Sequence, residues 1–249
     1  RIEKGAVIIE RPDITINLEG AGENITVSLD EDPLAPKAHL LVSELMVLTN
    51  AALAAWAKEH GVTLLHRTQD VAIPKEFSGI WQTPLEIARV VKALAPAVLE
   101  TNPRPHAGLG EAMYAPSTSP LRRYPDMINE TQIISLLRDG KPRWSKEELD
   151  TLLPLLNAHL DAAGQVQRFR PRYWKLLYFK QQGDRWWPAV ITDENDAFVT
   201  VNMPKEQMIV RARRQFFGER THPGQELEIR LGKVHPLQND FQLLETREI

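Results

Sequence analysis

The chain has no cysteine among its 249 residues. This absence excludes disulfides, thiolate metal ligands and a thiol nucleophile, and it is ordinary for a protein of a reducing cytoplasm, where we expect this one. No uninterrupted apolar run approaches the roughly 18 residues of a membrane span, and no signal-peptide pattern is present. We therefore expect a soluble, globular protein with no membrane partner.

An initiating methionine is also lacking. The chain begins at Arg1, directly in a stretch with the composition of a strand. This indicates a fragment whose beginning lies elsewhere. We accordingly expect its first partner to be a missing N-terminal portion of the same protein.

The chain as a whole has no surplus of positive charge, since its net charge is −3. A positive surplus would favour binding to a nucleic acid. Residues 165–249 nevertheless carry 14 Lys and Arg against 11 Asp and Glu. The surplus is densest at residues 168–175, where Arg168, Arg170 and Arg172 alternate with aromatic residues. Cations can follow the phosphates of a single strand while rings stack on bases, at roughly 1–3 kcal/mol per base. A solvated helix face with its aromatics in the core is the alternative.

The first third of the chain predicts short strands and one long helix. Residues 6–10, 14–18 and 25–29 are rich in β-branched side chains and predict an antiparallel meander. From about residue 38 to residue 59, leucines recur at helical spacing, which predicts a largely buried helix. Residues 62–65 then predict a short strand.

The last third changes from helical to strand periodicity. Pro154 and Pro171 are expected to bend or break one long helical run to Phe179. Five short strands are predicted at residues 186–192, 197–201, 207–211, 226–234 and 241–244. Five strands in about 60 residues favour a small OB-like barrel, a fold that binds oligonucleotides. The predicted domains are residues 1–180 and 181–249.

The central motif occupies residues 118–126, after a loop rich in glycine and proline at residues 102–117. Thr118 or Ser119 can cap a helix whose first residue is Pro120. Unpaired backbone N–H groups at such a helix start bind anions, and the Arg122 and Arg123 side chains could reach the same place. The motif therefore predicts a phosphate site.

The same residues carry a family resemblance. The stretch HAGLGEAMYAPSTSPLRRYPDMIN, residues 106–129, resembles the pattern H-x-G-L-G, Y, T-S-P-[IL]-R-[RK]-[YF]-x-D of the ribonuclease II and ribonuclease R family. Residues 1–6 resemble its R-x-x-x-G-A segment, and residues 41–50 its E-x-M-x-x-A-N helix. The resemblance implies an α+β fold: the C-terminal part of an RNB-type catalytic domain, followed by a five-stranded OB-like β-barrel that binds RNA.

The resemblance also implies a function, hydrolytic 3′→5′ degradation of single-stranded RNA to nucleoside 5′-monophosphates. The family holds Mg²⁺ with a D-x-D-D-A cluster upstream of the R-x-x-x-G-A segment, so we expect the metal ligands outside this chain. The acidic residues at 30–32 and 193–196 lack that form and are interpreted as turn residues. This polypeptide alone is then expected to be inactive, and the complete protein to be a monomer.

By analogy with the family, Arg122 is the predicted catalytic residue, facing the scissile phosphate and offsetting charge that develops on its oxygens. Arg123 is predicted either to contact a neighbouring phosphate or to form a structural ion pair with Asp126. Both alternatives remain open at this stage.

The remaining predicted RNA contacts are weighed against structural roles. Tyr114 either packs against the terminal nucleotide or anchors its loop. Glu44 matches a family position that helps hold the 3′-terminal ribose, although a buried structural role competes. Thr118 and Ser119 are grouped with the RNA site, and their expected role is to cap the helix.

Two segments depart from the family pattern. Residues 126–131 replace D-x-x-x-H-R, and residues 165–168 replace an A-E-R segment. A non-catalytic RNA-binding protein of the same fold is therefore the alternative to the enzyme.

Overall fold

The computed structural model describes residues 1–32, 36–218 and 220–249. The described part is mixed α+β, as predicted, with four α-helices and eleven strands. In chain order the elements are β1 (Val7–Ile9), β2 (Ile14–Glu19), β3 (Thr26–Glu31), α1 (Pro36–Glu59), β4 (His66–Thr68), β5 (Gly79–Trp81), α2 (Pro84–Ala93), β6 (Val98–Glu100), α3 (Tyr124–Asp139), α4 (Lys146–Gln182), β7 (Trp186–Glu194), β8 (Phe198–Met203), β9 (Met208–Arg213), β10 (Glu226–His235) and β11 (Asp240–Glu248).

The chain folds into two compact units. The first unit consists of Arg1–Glu10, Ala35–Trp81 and Val90–Asp161, and the second of Arg11–Leu34, Gln82–Arg89 and Ala162–Ile249. Each unit is made of three segments that are not contiguous in the sequence. The predicted domain boundary between residues 180 and 181 stays a prediction.

The predicted meander is only partly right. Strands β2 and β3 form the expected antiparallel hairpin, from Ile14 opposite Glu31 to Glu19 opposite Thr26. Its turn requires Gly20, which has φ +92° and where a Cβ would lie 2.5 Å from the Asn24 carbonyl oxygen. Strand β1 pairs instead in parallel with β5, from Val7 opposite Gly79 to Ile9 opposite Trp81. It lies in the first unit, whereas the hairpin lies in the second.

Helix α1 is buried on one face only, so the prediction of a largely buried helix is wrong. Leu41, Leu45 and Leu48 are 62%, 54% and 64% exposed, whereas Asn50 and Ala54 on the opposite face are fully buried. The helix is apolar on both faces, and the first unit covers one of them. By length and composition alone, the segment from Lys37 to Glu59 could cross a membrane, with a mean hydropathy of 1.6. Core helices of soluble proteins also pass that test.

Two further local predictions fail for identifiable reasons. Residues 62–65 are not a strand, because the Leu65 backbone binds the Asn129 side chain instead of a neighbouring strand. Helix α4 continues through Pro154 and Pro171 without a break in its assignment. Both prolines are exposed, so water can solvate the carbonyl groups that lose an intrahelical partner.

The second unit contains the five predicted C-terminal strands. They form a curled antiparallel half-barrel with the strand order β11-β10-β7-β8-β9. Inward-facing side chains such as Ile191, Val201 and Ile229 are fully buried, and Leu176 and Phe179 of α4 join the same core. The alternation of buried and outward residues explains why the strands were recognisable from sequence.

Candidate nucleic-acid interface

Residues 118–123 form a turn, and α3 begins only at Tyr124. The N–H groups of Arg122 and Arg123 donate to the Ser119 carbonyl at 3.2 and 3.0 Å. The Ser119 N–H donates to Asp126 Oδ2 at 2.9 Å. Because α3 begins at Tyr124 with Arg123 as its N-cap, the predicted capping of a helix at Pro120 by Thr118 and Ser119 is wrong. The predicted phosphate site stays a prediction. With the N–H groups of Ser119, Arg122 and Arg123 occupied, the arginine side chains are the candidate donors to an anion.

Arg123 is held by a buried carboxylate. Its Nη2 donates to Asp126 Oδ2 at 2.7 Å, and Asp126 is only 1% exposed. The same nitrogen reaches Thr118 Oγ1 at 3.3 Å. Of the two alternatives, the structural ion pair is therefore present, and contact of Arg123 with RNA stays a prediction.

Arg122 is the available guanidinium of the pair. Its side chain is exposed, and its hydrogen bond to Ser119 Oγ is long, at 3.5 Å. Within the described ranges the ion pairs do not include Arg122. The turn thus holds Arg123 against Asp126 and leaves Arg122 pointing to solvent. There, a phosphate can accept hydrogen bonds from the planar guanidinium of Arg122.

Two buried amides fix the loop that precedes this turn. Asn50 Oδ1 accepts from the Ser117 N–H at 2.8 Å, and its Nδ2 donates to Tyr114 Oη at 2.8 Å. Asn129 of α3 donates to the carbonyls of Leu65 and Pro116, both at 2.9 Å. Sequence reasoning missed both roles. Asn50 had a signal in the sequence, because it is an amide on an otherwise apolar face of α1, where burial demands hydrogen-bond partners. Asn129 had no such signal, because the buried face of α3 also carries Asp126 and Gln132.

Tyr114 anchors the loop through its hydroxyl. Besides its bond with Asn50, its ring packs edge-on against His106 with centroids 5.8 Å apart. Its carbonyl accepts from the Arg67 N–H at 2.9 Å. One predicted alternative is thereby present, while stacking on a terminal nucleotide stays a prediction.

Glu44 is bound by Arg1. Arg1 donates to both carboxylate oxygens, with Nε to Oε2 at 2.8 Å, and these hydrogen bonds hold the pKa of Glu44 below its usual range. Arg1 Nη1 also donates to the Leu109 carbonyl at 3.0 Å. A Cβ at Gly110, where φ is +67°, would lie 2.9 Å from the Arg1 carbonyl oxygen, so the H-x-G-L-G segment needs glycine there. Contact of Glu44 with a ribose stays a prediction.

His66 and His106 are buried in the first unit. Burial lowers the pKa of both rings to about 4, and the Arg67 charge contributes at His106. The unfolded chain, with ordinary histidine pKa values near 6.5, therefore binds protons between pH 6.5 and 4 that the folded chain does not. We expect the free energy of unfolding to fall by about 1 kcal/mol per pH unit per histidine as pH drops through this window.

Urea denaturation at pH 7.0, 5.5 and 4.5 checks this expectation. His66→Gln and His106→Gln should each flatten the pH dependence, whereas His159→Gln, at an exposed position, should leave it unchanged. A pH profile that is the same in all four proteins would show that the buried rings do not cause it.

The basic stretch at residues 168–175 divides between surface and core. Arg168 and Arg170 are exposed. Arg172 is half-buried, with Nη1 3.4 Å from Met208 Sδ and its guanidinium 5.7 Å from the centre of the Phe241 ring, and burial lowers its pKa. Arg168 and Arg170 are thus accessible to a ligand, while Arg172 also packs on the half-barrel. Contact of the three arginines with RNA stays a prediction.

The outer face of β8 and β9 carries a cationic and aromatic surface that sequence reasoning missed. Phe198 is 36% exposed and lies under the Arg211 guanidinium, 4.4 Å from the ring centre. Arg213 is its cross-strand neighbour. No acidic partner of Arg211 or Arg213 is found in the described part of the chain. By contrast, Arg247 on β11 pairs with Glu228.

The described residues hold no group of three or more His, Asp or Glu side chains close enough to bind a metal ion. The acidic side chains at residues 30–32 lie on β3 and just after it, and two of them bind Thr15 and Asn17 of the neighbouring strand. The chain as described therefore does not fit a metal centre, and no chemical step is assigned to a metal within it.

Solved structures share this fold. The Dss1 exoribonuclease of Candida glabrata superposes with a TM-score of 0.78 at 22% identity, covering 97% of this chain and 32% of that one. RNase R of Mycoplasma genitalium, solved with ribose-methylated single-stranded RNA, gives a TM-score of 0.73 at 15% identity, covering 98% of this chain and 47% of that one.

Sequence comparison agrees. The ribonuclease sll1290 of Synechocystis is 24% identical over an alignment of 251 positions. The alignment covers 98% of this chain and 37% of that protein. The chain thus spans little more than a third of the length of this relative. Residues 1–139 match the RNB domain model, and because this match covers more than half of the chain, the chain belongs to the RNB domain family.

Proposed function

We propose that this chain is part of a hydrolytic, metal-dependent 3′→5′ exoribonuclease that degrades single-stranded RNA to nucleoside 5′-monophosphates. The observation that carries the proposal is Arg122, an exposed guanidinium without an acidic partner in the described residues, placed on a tightly anchored turn within the RNB match. The Dss1 and RNase R neighbours, respectively an exoribonuclease and a protein solved with single-stranded RNA, support the substrate class.

The role proposed for Arg122 is to bind the scissile phosphate. A guanidinium can donate two parallel hydrogen bonds to phosphate oxygens and offset the charge that grows on them in the transition state. The ion pair between Arg123 and Asp126 fixes the turn on which Arg122 stands. Arg122 thus contacts the reacting group, and Asp126 and Arg123 position it.

Mg²⁺ is proposed as the cofactor, with its ligands outside these 249 residues. Two-metal hydrolysis needs carboxylates that hold the ions beside the attacking and leaving oxygens, and the described residues offer no such group. The 249-residue chain by itself is proposed to bind RNA without cutting it. The complete protein is proposed to be a cytoplasmic monomer.

The half-barrel is proposed to be an OB-like RNA-binding domain. In OB folds the second and third strands present the face that binds oligonucleotides, and these correspond to β8 and β9. Phe198 would stack on a base while Arg211 and Arg213 follow the phosphates. Arg168 and Arg170 of α4 are proposed as further phosphate contacts.

Replacing Arg211 with alanine should weaken the binding of a single-stranded oligonucleotide and reduce the slope of log affinity against log salt by about 1. Phe198→Ala should weaken binding about tenfold with little change of slope, because it removes stacking. Fluorescence anisotropy at several salt concentrations measures both quantities.

The matched control for that measurement is Arg247→Ala. Arg247 lies on the same sheet, but Glu228 already pairs with it, so its loss should change neither affinity nor slope appreciably. Equal losses for Arg211→Ala and Arg247→Ala would contradict a specific RNA surface on β8 and β9.

A non-catalytic RNA-binding protein of the same fold is the alternative, since the described residues fit phosphate binding without a metal centre. The sequence of the complete gene product separates the two. A D-x-D-D-A cluster upstream of the segment at residues 1–6 is expected for the enzyme. Absence of that cluster would reject the enzyme and favour the binding protein.

A further inference from the structure

A cavity lies between the C-terminal half of α3 and the start of α4. Its volume is about 540 Å³, within the roughly 300–1,000 Å³ of sites that bind small molecules. All of its lining residues belong to the first unit. Those on α3 run from Thr131 to Asp139, roughly 10–20 Å along the helix from Tyr124, where α3 begins. The cavity is therefore separate from the turn that carries Arg122.

The loop that forms one wall of the cavity is fixed at both ends. The Trp144 N–H donates to Gln132 Oε1 at 2.8 Å, and the Trp144 carbonyl accepts from Gln132 Nε2 at 2.9 Å. Gln132 is fully buried. At the other end Gly140, with φ +74°, closes α3 by donating its N–H to the Leu136 carbonyl at 2.9 Å. A wall held in this way needs little further ordering when a ligand binds.

The charged side chains of the cavity leave two cations available. Asp139 pairs with Arg138 at 3.0 Å, and this hydrogen bond holds the pKa of Asp139 below its usual range. Glu148 Oε2 accepts the backbone N–H of the residue before α4, at 2.8 Å. In the described part of the chain, the ion pairs include neither Lys141 nor Arg143, which are both exposed. These two side chains can therefore bind an anion.

An apolar wall lies beside the two cations. It is formed by Ile134, which is 54% exposed, and by Pro142. Small-molecule sites combine such apolar surface with a few polar groups that fix the orientation of the ligand. The combination fits a molecule with a phosphate at one end and a less polar body at the other.

We propose that this cavity binds a nucleoside 5′-monophosphate. Lys141 and Arg143 bind the phosphate, with the arginine donating two parallel hydrogen bonds, and Ile134 and Pro142 pack against the nucleoside. The proposal rests on the proposed function only in the choice of ligand, since 5′-mononucleotides are its proposed product. A site of this kind allows the released product to bind the enzyme away from Arg122.

An RNA strand is a poorer occupant. Binding of a strand uses a basic groove that follows successive phosphates, whereas here Asp139 and Glu148 line the same cavity as the cations and would repel further phosphates. Inorganic phosphate is also a poorer occupant, because it leaves the apolar wall uncovered. The charge pattern and the volume together favour one nucleotide.

Isothermal titration calorimetry of the complete gene product with AMP tests the proposal. EDTA is added to remove Mg²⁺, so that a metal centre does not contribute to binding. Lys141→Ala and Arg143→Ala should each weaken AMP binding about tenfold or more, the usual effect of losing a hydrogen bond to a charged group. Adenosine, which lacks the phosphate, should bind at least tenfold more weakly than AMP.

The matched control is Lys146→Ala. Lys146 is an exposed neighbour that already pairs with Asp150 at 2.7 Å, so its loss should leave AMP affinity unchanged. Lys141→Gln and Arg143→Gln provide second variants if the alanine variants do not fold, which a urea unfolding curve shows.

Undetectable AMP binding would overturn the proposal, as would unchanged affinity in the Lys141 and Arg143 variants. Loss of binding in Arg122→Ala alone would place the nucleotide on the turn at residues 118–123. Inorganic phosphate that binds as tightly as AMP would show a simple anion site, and a single-stranded oligonucleotide weakened as much as AMP in both variants would show an RNA strand. Each of these results rejects the proposal. AMP binding as expected in a protein that does not cleave RNA would refute the proposed function and leave this site standing.

Discussion

Replacing Arg122 with alanine in the complete protein should lower the single-turnover rate of RNA cleavage by about 10²–10³-fold, the cost of removing one preorganised donor to a developing oxyanion. RNA affinity should change much less, because the other contacts with the strand remain. The reason is structural: Arg122 is exposed and has no acidic partner in the described residues. Rapid-quench cleavage and anisotropy binding on the same RNA measure the two quantities.

The control is the neighbouring arginine. Arg123→Ala removes the partner of a carboxylate that is 1% exposed, so it should lower the free energy of unfolding by about 2–4 kcal/mol. Arg122→Ala should leave stability unchanged within about 0.5 kcal/mol, as surface changes usually do. If the two variants exchanged these effects, the assignment of the two arginines would be reversed.

Asn129→Ala should be among the most destabilising single changes in the first unit. Asn129 is fully buried and satisfies the N–H and carbonyl of Leu65 and the carbonyl of Pro116. Alanine leaves these three buried backbone groups without partners, each costing roughly 1–3 kcal/mol before relaxation. We expect a loss of about 3 kcal/mol or more in the free energy of unfolding, measured by urea denaturation.

Asn157→Ala is the matched control for that loss. Asn157 is partly exposed and makes one long hydrogen bond to the Leu99 carbonyl, at 3.4 Å, so its replacement should cost less than about 1 kcal/mol. Comparable losses for the two asparagines would show that the contacts of Asn129 do not stabilise the loop as described.

The strands of the second unit could be predicted because their information is local. Alternation of apolar and polar residues fixes both a strand and its inward face, and the five C-terminal strands all lie where the sequence places them. The parallel pairing of β1 with β5 could not be predicted in this way. It joins residues more than 70 positions apart, and no local signal separates it from an antiparallel meander.

The site shows the same division between local and distant information. The motif identified the right turn, but a helix start at Pro120 and one at Tyr124 are equally compatible with its residue types. The choice is made by Asp126, whose buried carboxylate takes the Ser119 N–H. Asn50 contacts a loop almost 70 residues away, so its role becomes visible only in the folded chain.

The exposed face of α1 was mispredicted for a physical reason. Leucines at helical spacing indicate that a helix face is buried, but the spacing does not identify what buries it. The face opposite Asn50 has no cover in the described residues. The apolar pattern was therefore identified correctly, but the burial predicted from it was wrong.

The function proposed for this chain is to bind the RNA phosphate while another part of the protein supplies the metal ligands. The measurement that tests it most directly is release of labelled nucleotide from a 3′-end-labelled single-stranded RNA in Mg²⁺, with the complete gene product and with the 249-residue chain in parallel. We expect early release of labelled 5′-mononucleotide by the complete protein, and binding without release by the chain. Release by the 249-residue chain, or binding without release by the complete protein, would contradict it.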